Sequence, residues 1–516
     1  MLRNLLATFF ISLATNSVGQ TLDWFDLTVP NNFLNSQFFH APITSAVDGI
    51  WVASLDANQD IAADKEYGSL LFRNFGTNGI LIEEVILNGK GHVESFKSIN
   101  EELLMHIIIK DSLQLDEVWV NATSGFSENF FVRRSPQGTF SYTSLGDEEV
   151  SSSCITSEGN MIYTEQVGSG VSVDLKIIDI DGQLIETKPL DHIGRVRNIE
   201  EKDNGQGFLL LGSCSEAVVI DGVEINIPDS YNAYIMSFDI DLNLEWYKLI
   251  EDVSCTHSFG WSDDETAYWY GGTWITPDFG ELDFEGPNSI GFDFFHTRIT
   301  ADEFNWVQEV PGNEGWYGAG PSQQSAMDVD VEGNTYLIGY VQGNDIPWSS
   351  SISTENQGMR DVFIASYNPD GDMRWAKTFG SINSDTGLSI HVEGVDVFYI
   401  TALINGSLIL DGMGMDSEQG SLLTAKFQGS FLSARDISDQ SKFYVFPNPV
   451  KNYLEVGLRE DMDIKKIAIR TSNGMLIKEW PESTSQKIDV SDIPPGLYVL
   501  SVRTIEVIEH IRFVKD

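Results

Sequence analysis

The chain repeats one strand–turn–strand pattern along most of its length. The clearest copy, residues 361–375, has an apolar strand, then Asn368-Pro369-Asp370-Gly371, then a second strand that ends at Trp375. An Asp-Gly pair between two apolar runs is typical of a β-hairpin. The pattern recurs at 233–246 and 294–306, weaker copies lie at 70–84, 130–145 and 173–187, and 421–427 has the first strand only.

A second hairpin alternates with the first. Its clearest copy is 325–339, and the others are 44–54, 93–109, 151–168, 196–212, 256–272 and 387–402. The turns of these seven copies, from Gly49 to Gly394, are 46 to 69 residues apart. A period of this length, with about four strands in each period and almost no helical pattern, predicts an all-β fold of the β-propeller type.

The order of the hairpins predicts how the ring closes. The array begins with the second hairpin, at 44–54, and ends with half of the first, at 421–427. We therefore expect these two segments to share the closing blade, which removes free strand edges. Seven blades are expected, with six or eight as alternatives. The body resembles the bacterial β-propeller repeat of exported proteins, a resemblance that implies a fold rather than an activity.

The last 74 residues form a separate pattern. Phe446-Pro447-Asn448-Pro449-Val450 stops a strand, Asn473-Gly474 is a hairpin turn, and Gly496-Leu497-Tyr498-Val499-Leu500 is a further strand. The chain ends in Phe513-Val514-Lys515-Asp516. About seven short strands in this stretch predict a small Ig-like β-sandwich.

These motifs, in this order and spacing, resemble the type A C-terminal sorting domain of the type IX secretion system of Bacteroidetes. Pro494-Pro495 departs mildly from that family's pattern, which usually has Leu or a small residue there. The resemblance implies export across the outer membrane, with the secretion machinery and its sorting peptidase as partners. The product would then be anchored at the cell surface or released, after cleavage of the tail. The implied sorting residues are Pro447, Asn448, Pro449, Asn473, Gly474, Gly496, Leu497, Tyr498, Val499 and Lys515.

The N-terminus is consistent with export. Arg3, an apolar run at 5–14 and the small-residue site Ser17-Val18-Gly19 are typical of a signal peptide. No later stretch is long and apolar enough for a transmembrane segment. We therefore expect a signal peptide at 1–19, a propeller body at 20–430, a linker at 431–442 and the sorting domain at 443–516.

The body is strongly acidic. The net charge is −46, and the tail is nearly balanced, with ten Lys/Arg against eleven Asp/Glu. Such a body repels phosphate backbones, so nucleic acid is a poor partner. Solubility in saline surroundings explains the charge more simply than cation-dependent binding does. Three cysteines, Cys154, Cys214 and Cys255, exclude a disulfide-rich scaffold but leave open one bridge or free thiols.

Sequence motifs for catalysis are lacking. There is no HExxH, GxSxG or Walker-type loop, and the eight histidines are scattered. Asp239, Asp241 and Asn243 match a calcium loop only partly, and a capped turn explains them better. We expect no metal and no cofactor. A catalytic site built from several blades would leave no local motif, because its residues would be dispersed along the chain.

The tryptophans fall into two groups. Trp246, Trp306 and Trp375 occupy one repeat position and are expected in the core between blades. A second group lies in or beside long loops and consists of Trp261, Trp274, Trp316 and Trp348. Trp274, Trp316 and Trp348 fall in inserts near acidic side chains, an arrangement that suits hydroxyl-rich ligands, although local packing of the loops is an alternative.

Two main functions are compatible with these patterns. The first is a secreted or surface-exposed module for binding or adhesion to glycans or surface proteins. The second is an extracellular hydrolase or lyase with its site at the propeller mouth. Convergent carboxylates or histidines at one end of the channel would favour the enzyme, and exposed tryptophans without them would favour binding. A scaffold for another protein is a third possibility.

Overall fold

The structure is a computed structural model. It describes residues 20–28, 41–56, 67–123, 127–168, 172–193, 195–226, 232–251, 258–263, 266–273, 277–286, 293–309, 318–320, 325–343, 345–349, 352–411, 413–415, 420–429, 443–446, 450–458, 465–471, 476–481, 487–494, 496–503 and 508–515. The chain divides into two compact units, one spanning Gly19–Phe431 and the other containing Leu432–Asp516. Within the described ranges there is no helix that could cross a membrane.

All regular elements of the described residues are strands, and 35 of them belong to the body. The first are β1 (Gln20–Thr28), β2 (Ile43–Ala46), β3 (Gly49–Asp56), β4 (Gly68–Gly76), β5 (Leu81–Ile99), β6 (Glu102–Leu115), β7 (Val118–Asn121), β8 (Ser127–Arg134), β9 (Phe140–Gly146), β10 (Val150–Ile155), β11 (Met161–Val167), β12 (Ser172–Ile178) and β13 (Leu184–Leu190). Next come β14 (Arg195–Glu201), β15 (Gly207–Cys214), β16 (Val218–Ile220), β17 (Val223–Ile225), β18 (Asn232–Asp239), β19 (Leu244–Glu251), β20 (Ser258–Ser262), β21 (Ala267–Thr273), β22 (Asp293–Ile299) and β23 (Phe304–Gln308). The remainder are β24 (Gly318–Gly320), β25 (Met327–Val329), β26 (Thr335–Gln342), β27 (Asp345–Pro347), β28 (Ser353–Glu355), β29 (Asp361–Tyr367), β30 (Met373–Phe379), β31 (Thr386–Gly394), β32 (Val397–Ile404), β33 (Leu408–Leu410), β34 (Met413–Met415) and β35 (Ser421–Gly429).

Antiparallel pairing groups these strands into seven four-stranded units. Unit 1 is β2, β3, β4 and the first half of β5, and unit 2 is the second half of β5 with β6, β8 and β9. Unit 3 is β10–β13, unit 4 is β14, β15, β18 and β19, and unit 5 is β20–β23. Unit 6 is β25, β26, β29 and β30, with β24 as a second partner of β26. Unit 7 is β31, β32, β35 and β1.

The first strands of the units form a closed cycle. Each of β2, β5, β10, β14, β20, β25 and β31 contacts the next, and β31 contacts β2. Four-stranded sheets arranged around a ring of first strands define a propeller. The all-β propeller class expected from the repeats is therefore confirmed. The count of seven blades stays a prediction, and the described strands group into seven units.

Polar turn residues fix the hairpins of the repeat. In the turn between β29 and β30, Asn368 Oδ1 accepts hydrogen bonds from the N–H groups of Asp370 (3.1 Å) and Asp372 (2.8 Å), and Gly371 has φ +88°. Asp239 likewise accepts hydrogen bonds from the backbone and side-chain N–H groups of Asn243. The side chain supplies the acceptor that the turn backbone lacks, as expected for a capped turn at Asp239.

The closing unit differs from the expectation. β35 pairs along its length with β1, in register from Gln20–Gly429 to Thr28–Leu422, with one bulge after Leu22. The segment 44–54 belongs instead to unit 1, where β3 pairs with β4. The prediction that 44–54 and 421–427 share a blade is therefore wrong. The truncated hairpin at 421–427 is completed by β1, a strand from the N-terminal side of the array.

Trp24 on β1 makes the same contact between units as a tryptophan inside the array. Trp24 Nε1 donates to Thr77 O at 3.0 Å, and its ring lies 2.6 Å from where a Cβ on Gly79 would be. Trp306 on unit 5 donates to Pro369 O at 3.0 Å and covers Gly371 of unit 6 in the same way. In both cases the fourth strand of one unit packs on the 3–4 turn of the next.

A continuous hydrophobic cluster crosses the seam between units 7 and 1. It contains Leu388, Tyr399 and Leu422 from unit 7 together with Trp51 and Phe72 from unit 1, all of them buried. Trp24 packs against this cluster. The seam is therefore closed by both backbone pairing and side-chain packing.

The tail folds as two sheets around one core. Its strands are β36 (Phe443–Phe446), β37 (Tyr453–Leu458), β38 (Lys466–Thr471), β39 (Leu476–Pro481), β40 (Lys487–Asp489), β41 (Gly496–Arg503) and β42 (Ile508–Lys515). The sheets have the orders β36-β37-β40 and β39-β38-β41-β42. Leu454 and Ile488 from one sheet and Ile467 and Leu500 from the other share a buried cluster. The more specific Ig-like assignment stays a prediction.

We predict that Trp24→Ala destabilises the body by about 2–3 kcal/mol, because it removes a ring packed at the seam. Denaturant unfolding of the purified protein measures this. Trp119→Ala on β7 is the control, since Trp119 is 50% exposed. Equal stability of the two variants would show that Trp24 does not secure the seam.

Candidate functional site

The first strands of all seven units line one cavity, which we call the channel cavity. Its volume is about 430 Å³, within the range of small-molecule sites. Trp261 supplies an indole to a wall that is otherwise rich in polar groups. The polar residues of the wall are Thr44, Ser45, Glu94, Ser95, Lys97, Ser152, Ser153, Ser157, Asn198, Glu200, Glu201, Lys202, Asp203, Ser325, Asp328 and His391.

Strand direction places this cavity at one particular end of the ring. In a sheet of sequential antiparallel strands, the 1–2 and 3–4 turns lie at one end and the 2–3 connection lies at the other. The wall includes the ends of the first strands and residues of the 1–2 turns, such as Ser157 and Asp203. The cavity therefore opens towards the 1–2 turns.

The described parts of two inserts expected to bind a ligand, 272–292 and 341–360, lie at the opposite end. Residues 277–286 lie between β21 and β22, and the hairpin β27–β28 lies between β26 and β29, so both connect a second strand to a third strand. The third insert, 311–325, lies mostly outside the described residues. Trp348, beside β27, is 3% exposed, packs on Phe294 and Phe363, and donates through Nε1 to Thr354 Oγ1 at 2.7 Å. Its burial agrees with local packing and not with an exposed platform at this residue. Trp274 and Trp316 lie outside the described residues.

Glu201 joins three neighbouring units at the cavity wall. Lys97 Nζ of unit 2 lies 2.7 Å from Glu201 Oε2 of unit 4. Ser157 of unit 3 donates to the same carboxylate through its N–H (2.7 and 2.8 Å) and its hydroxyl (2.7 Å). A carboxylate with this many donors is held in one position, and the Lys97 ammonium balances its charge. Glu201 therefore helps to set the shape of the wall.

Glu200 has a different environment from its neighbour. Burial in the wall raises the pKa of the Glu200 carboxyl to about 7, although Asn198 Nδ2 donates to its Oε1 at 2.8 Å, and the Asp328 carboxylate raises that pKa further. The cavity therefore contains a carboxyl group that carries a proton part of the time at neutral pH.

A buried hydrogen-bond chain runs from the cavity into unit 2. Ser95 Oγ lies 2.7 Å from Ser153 Oγ, Ser153 Oγ lies 2.8 Å from His106 Nδ1, and His106 Nε2 lies 3.2 Å from Asn129 Oδ1. Asn129 Nδ2 donates to Glu148 O at 2.8 Å, so its Oδ1 accepts from His106 Nε2–H. Burial lowers the pKa of His106 to about 4, so this imidazole is neutral.

His391 approaches a hydroxyl and a carboxylate at the same cavity. Its Nε2 lies 2.8 Å from Ser45 Oγ, and its Nδ1 lies 3.3 Å from Asp328 Oδ2. These three residues come from units 1, 6 and 7. No local sequence motif marks them, because their segments meet only when the ring closes. The one signal was a polar residue, Asp328, between the apolar Met327 and Val329.

The two described cysteines do not add a reactive group. Cys154 and Cys214 are free thiols, and Cys255 lies outside the described residues. Burial raises the pKa of the Cys154 thiol to about 12, so it remains protonated although it borders the cavity. Within the described ranges, no group of three or more His, Cys, Asp and Glu residues could hold a metal ion.

Those sorting residues of the tail that the structure describes lie together in one ladder. Gly496, Leu497 and Tyr498 of β41 pair with Lys515, Val514 and Phe513 of β42. Tyr498 is 7% exposed and donates its hydroxyl hydrogen to Pro494 O at 2.9 Å. Val499 continues the same strand. The other sorting residues, Pro447, Asn448, Pro449, Asn473 and Gly474, lie outside the described residues.

A family model identifies the tail. Residues 444–514 match the secretion system C-terminal sorting domain. The chain ends in a type IX sorting domain. The protein is therefore exported to the cell surface or secreted, and the type IX machinery is a partner. The expectation of this route is confirmed.

Other comparisons add little. No curated protein matches the chain. Solved structures similar to it include the β-propeller domain of the Trilobed protease from Pyrococcus furiosus, at 9% identity and TM-score 0.31, covering 67% of this chain and 98% of that one. The Dos1 propeller has 10% identity, TM-score 0.32 and coverages of 82% and 92%. A prolyl endopeptidase has 7% identity, TM-score 0.40 and coverages of 94% and 54%. Likeness this weak supports no argument about function.

Glu200 gives a prediction about pH. Its pKa of about 7 when folded exceeds the ordinary value of 4.5, so the folded state binds more protons between these values. The free energy of unfolding must therefore fall as pH rises from about 4.5 to 7, by at most about 3 kcal/mol. Glu200→Gln should stabilise the protein at pH 8 and change little at pH 4.5, as measured by denaturant unfolding. The exposed Glu158→Gln is the control, and the same pH profile in both variants would exclude this role for Glu200.

The sorting domain gives a prediction about export. Deletion of residues 443–516 should trap the body in the periplasm, because the type IX machinery then has no tail to recognise. Cell fractionation measures this, and protease resistance of the trapped protein shows that the body is folded. Normal surface yield of the truncated chain would contradict the sorting role.

Proposed function

We propose that this exported propeller protein is an extracellular binding module that takes a small, neutral or amino-bearing carbohydrate into the channel cavity. The observation that carries the proposal is the composition of the cavity wall. Serine hydroxyls, carboxylates, the ammonium groups of Lys97 and Lys202 and the indole of Trp261 surround one space of about 430 Å³. Carboxylates accept hydrogen bonds from sugar hydroxyls, ammonium groups donate to them, and an indole stacks on C–H faces.

The size and charge of the cavity narrow the ligand class. A space of about 430 Å³ suits one or two sugar rings better than a protein surface, so it favours a glycan over a surface protein. Five carboxyl residues, Glu94, Glu200, Glu201, Asp203 and Asp328, outnumber the two lysines in the wall. Anionic sugars are therefore disfavoured, because they would meet like charges.

The enzyme alternative draws on the same carboxylates together with His391. Carboxylates and His391 converge at the end of the channel, as expected for a hydrolase, while the one described insert tryptophan, Trp348, is buried. Binding in the cavity is compatible with both functions, since a hydrolase must first hold its substrate there.

A glycan array followed by calorimetry tests the binding function. Trp261→Ala should weaken binding of the selected glycan by about 2- to 10-fold, because one stacked ring contributes roughly 0.5–1.5 kcal/mol. Trp119→Ala is the control, since Trp119 lies on β7 and does not line the cavity. Trp261 also contacts Tyr268 at 5.8 Å, so thermal melting must show that the variant is folded. Equal affinity of both variants would exclude the channel cavity as the glycan site.

A further inference from the structure

Three side chains of the channel cavity have the relative order of a nucleophile, a base and an orienting acid. Ser45 Oγ lies 2.8 Å from His391 Nε2, and His391 Nδ1 lies 3.3 Å from Asp328 Oδ2. The side chains of His391 and Asp328 are 24% and 26% exposed, and Ser45 is exposed. All three line the cavity, so a ligand held there can reach the hydroxyl and the imidazole.

The backbone holds the acid in place. Asp328 Oδ1 accepts from the N–H of Val329 at 2.8 Å, and Oδ2 accepts from the N–H of Val392 at 2.7 Å. The second bond ties Asp328 of unit 6 to the residue after His391 in unit 7. An ionised carboxylate accepts hydrogen bonds only, so it favours the imidazole tautomer with the proton on Nδ1. The lone pair on Nε2 then faces the Ser45 hydroxyl.

We propose that Ser45, His391 and Asp328 give the channel cavity an ester hydrolase activity towards O-acylated carbohydrates. Ser45 is the nucleophile, His391 the general base and Asp328 the positioning residue. Such a set is recognised by geometry and roles, not by position in the sequence. The substrate class rests on the proposed binding of a carbohydrate in the same cavity.

The reaction balances with water as the only co-reactant. Ser45 Oγ attacks the ester carbonyl carbon while its proton passes to His391 Nε2. The C–O bond to the sugar breaks, and the same proton goes to the departing sugar oxygen, leaving an acyl group on Ser45. A water molecule then attacks this acyl group, giving its proton to His391, which returns a proton to Ser45 Oγ. The products are the free sugar hydroxyl and a carboxylic acid.

Ser95 is a poorer candidate for the nucleophile in the same cavity. Its neighbour Ser153 bonds to the buried His106, and the low pKa of that imidazole makes it a weak base. His106 is fully buried and does not line the cavity, so it cannot pass a proton to a departing sugar oxygen. Modification of Ser95 rather than Ser45 would therefore contradict the assignment.

A fluorophosphonate probe tests the nucleophile directly in the full-length protein. It forms a covalent bond with an activated serine, and peptide mass spectrometry locates that bond. We expect modification at Ser45 and its loss in Ser45→Ala, with no change in Ser141→Ala, which removes an exposed serine on β9 outside the cavity. Absence of modification at Ser45, or modification of Ser95 instead, would overturn the proposal.

Measurements of ester turnover distinguish a positioning role of Asp328 from a purely structural one. Hydrolysis of an O-acetylated sugar should fall by about 100-fold or more in kcat for Asp328→Asn, with KM and the melting temperature nearly unchanged. A parallel loss of melting temperature and of all binding would assign Asp328 a structural role only. If the wild type binds a glycan, but the probe does not modify Ser45 and no ester is hydrolysed, the hydrolase proposal is wrong and the binding proposal is retained. If the probe modifies Ser45 but no glycan binds, the carbohydrate substrate class is wrong and the assignment of Ser45 as nucleophile is retained.

Discussion

Backbone pairing between residues 20–28 and 422–429 is the interaction on which the body depends. It supplies unit 7 with its fourth strand and brings the two ends of the array together. The hydrophobic cluster at this seam joins Leu388 and Tyr399 to Trp51 and Phe72. Thr401 Oγ1 also donates across the seam to Ala41 O at 2.6 Å.

The Ser45–His391 contact crosses the same seam, because Ser45 belongs to unit 1 and His391 to unit 7. Closure of the ring therefore also assembles part of the candidate site.

Much of the fold follows from local sequence patterns, and the closure does not. Hairpin turns such as Asn368 to Gly371 determine their strands through side-chain acceptors and a glycine with positive φ, so short segments reveal them. β1 has no hairpin partner beside it in sequence, because its partner β35 lies at the other end of the body. A signal was nevertheless present. Trp24 follows a charged residue, Asp23, just as Trp375 follows Arg374 in the clearest copy of the repeat. Trp24 then packs on the next unit as Trp306 does.

The candidate site was less accessible to sequence analysis, for the same reason. Ser45, Asp328 and His391 lie in three different units, and each of them alone resembles an ordinary surface residue of a strand. Sequence patterns favour the loop tryptophans as ligand groups, yet the Trp348 ring packs against Phe294 and Phe363. The cavity instead lies towards the 1–2 turns, where first strands from every unit converge. The tail has a separate role: its sorting domain determines where the protein goes, while the function proposed for the body is placed in the channel.

Hydrogen exchange of the β1 amides, read by mass spectrometry, tests the closure most directly. If β1 completes unit 7, those amides of residues 20–28 that donate to β35 are protected and exchange as slowly as the β35 amides that donate to β1, since both need the ring to open. Exchange of every amide in 20–28 within seconds, while 397–404 stays protected, would show that β1 is not part of the ring. The seam, and the site assembled across it, would then have to be abandoned.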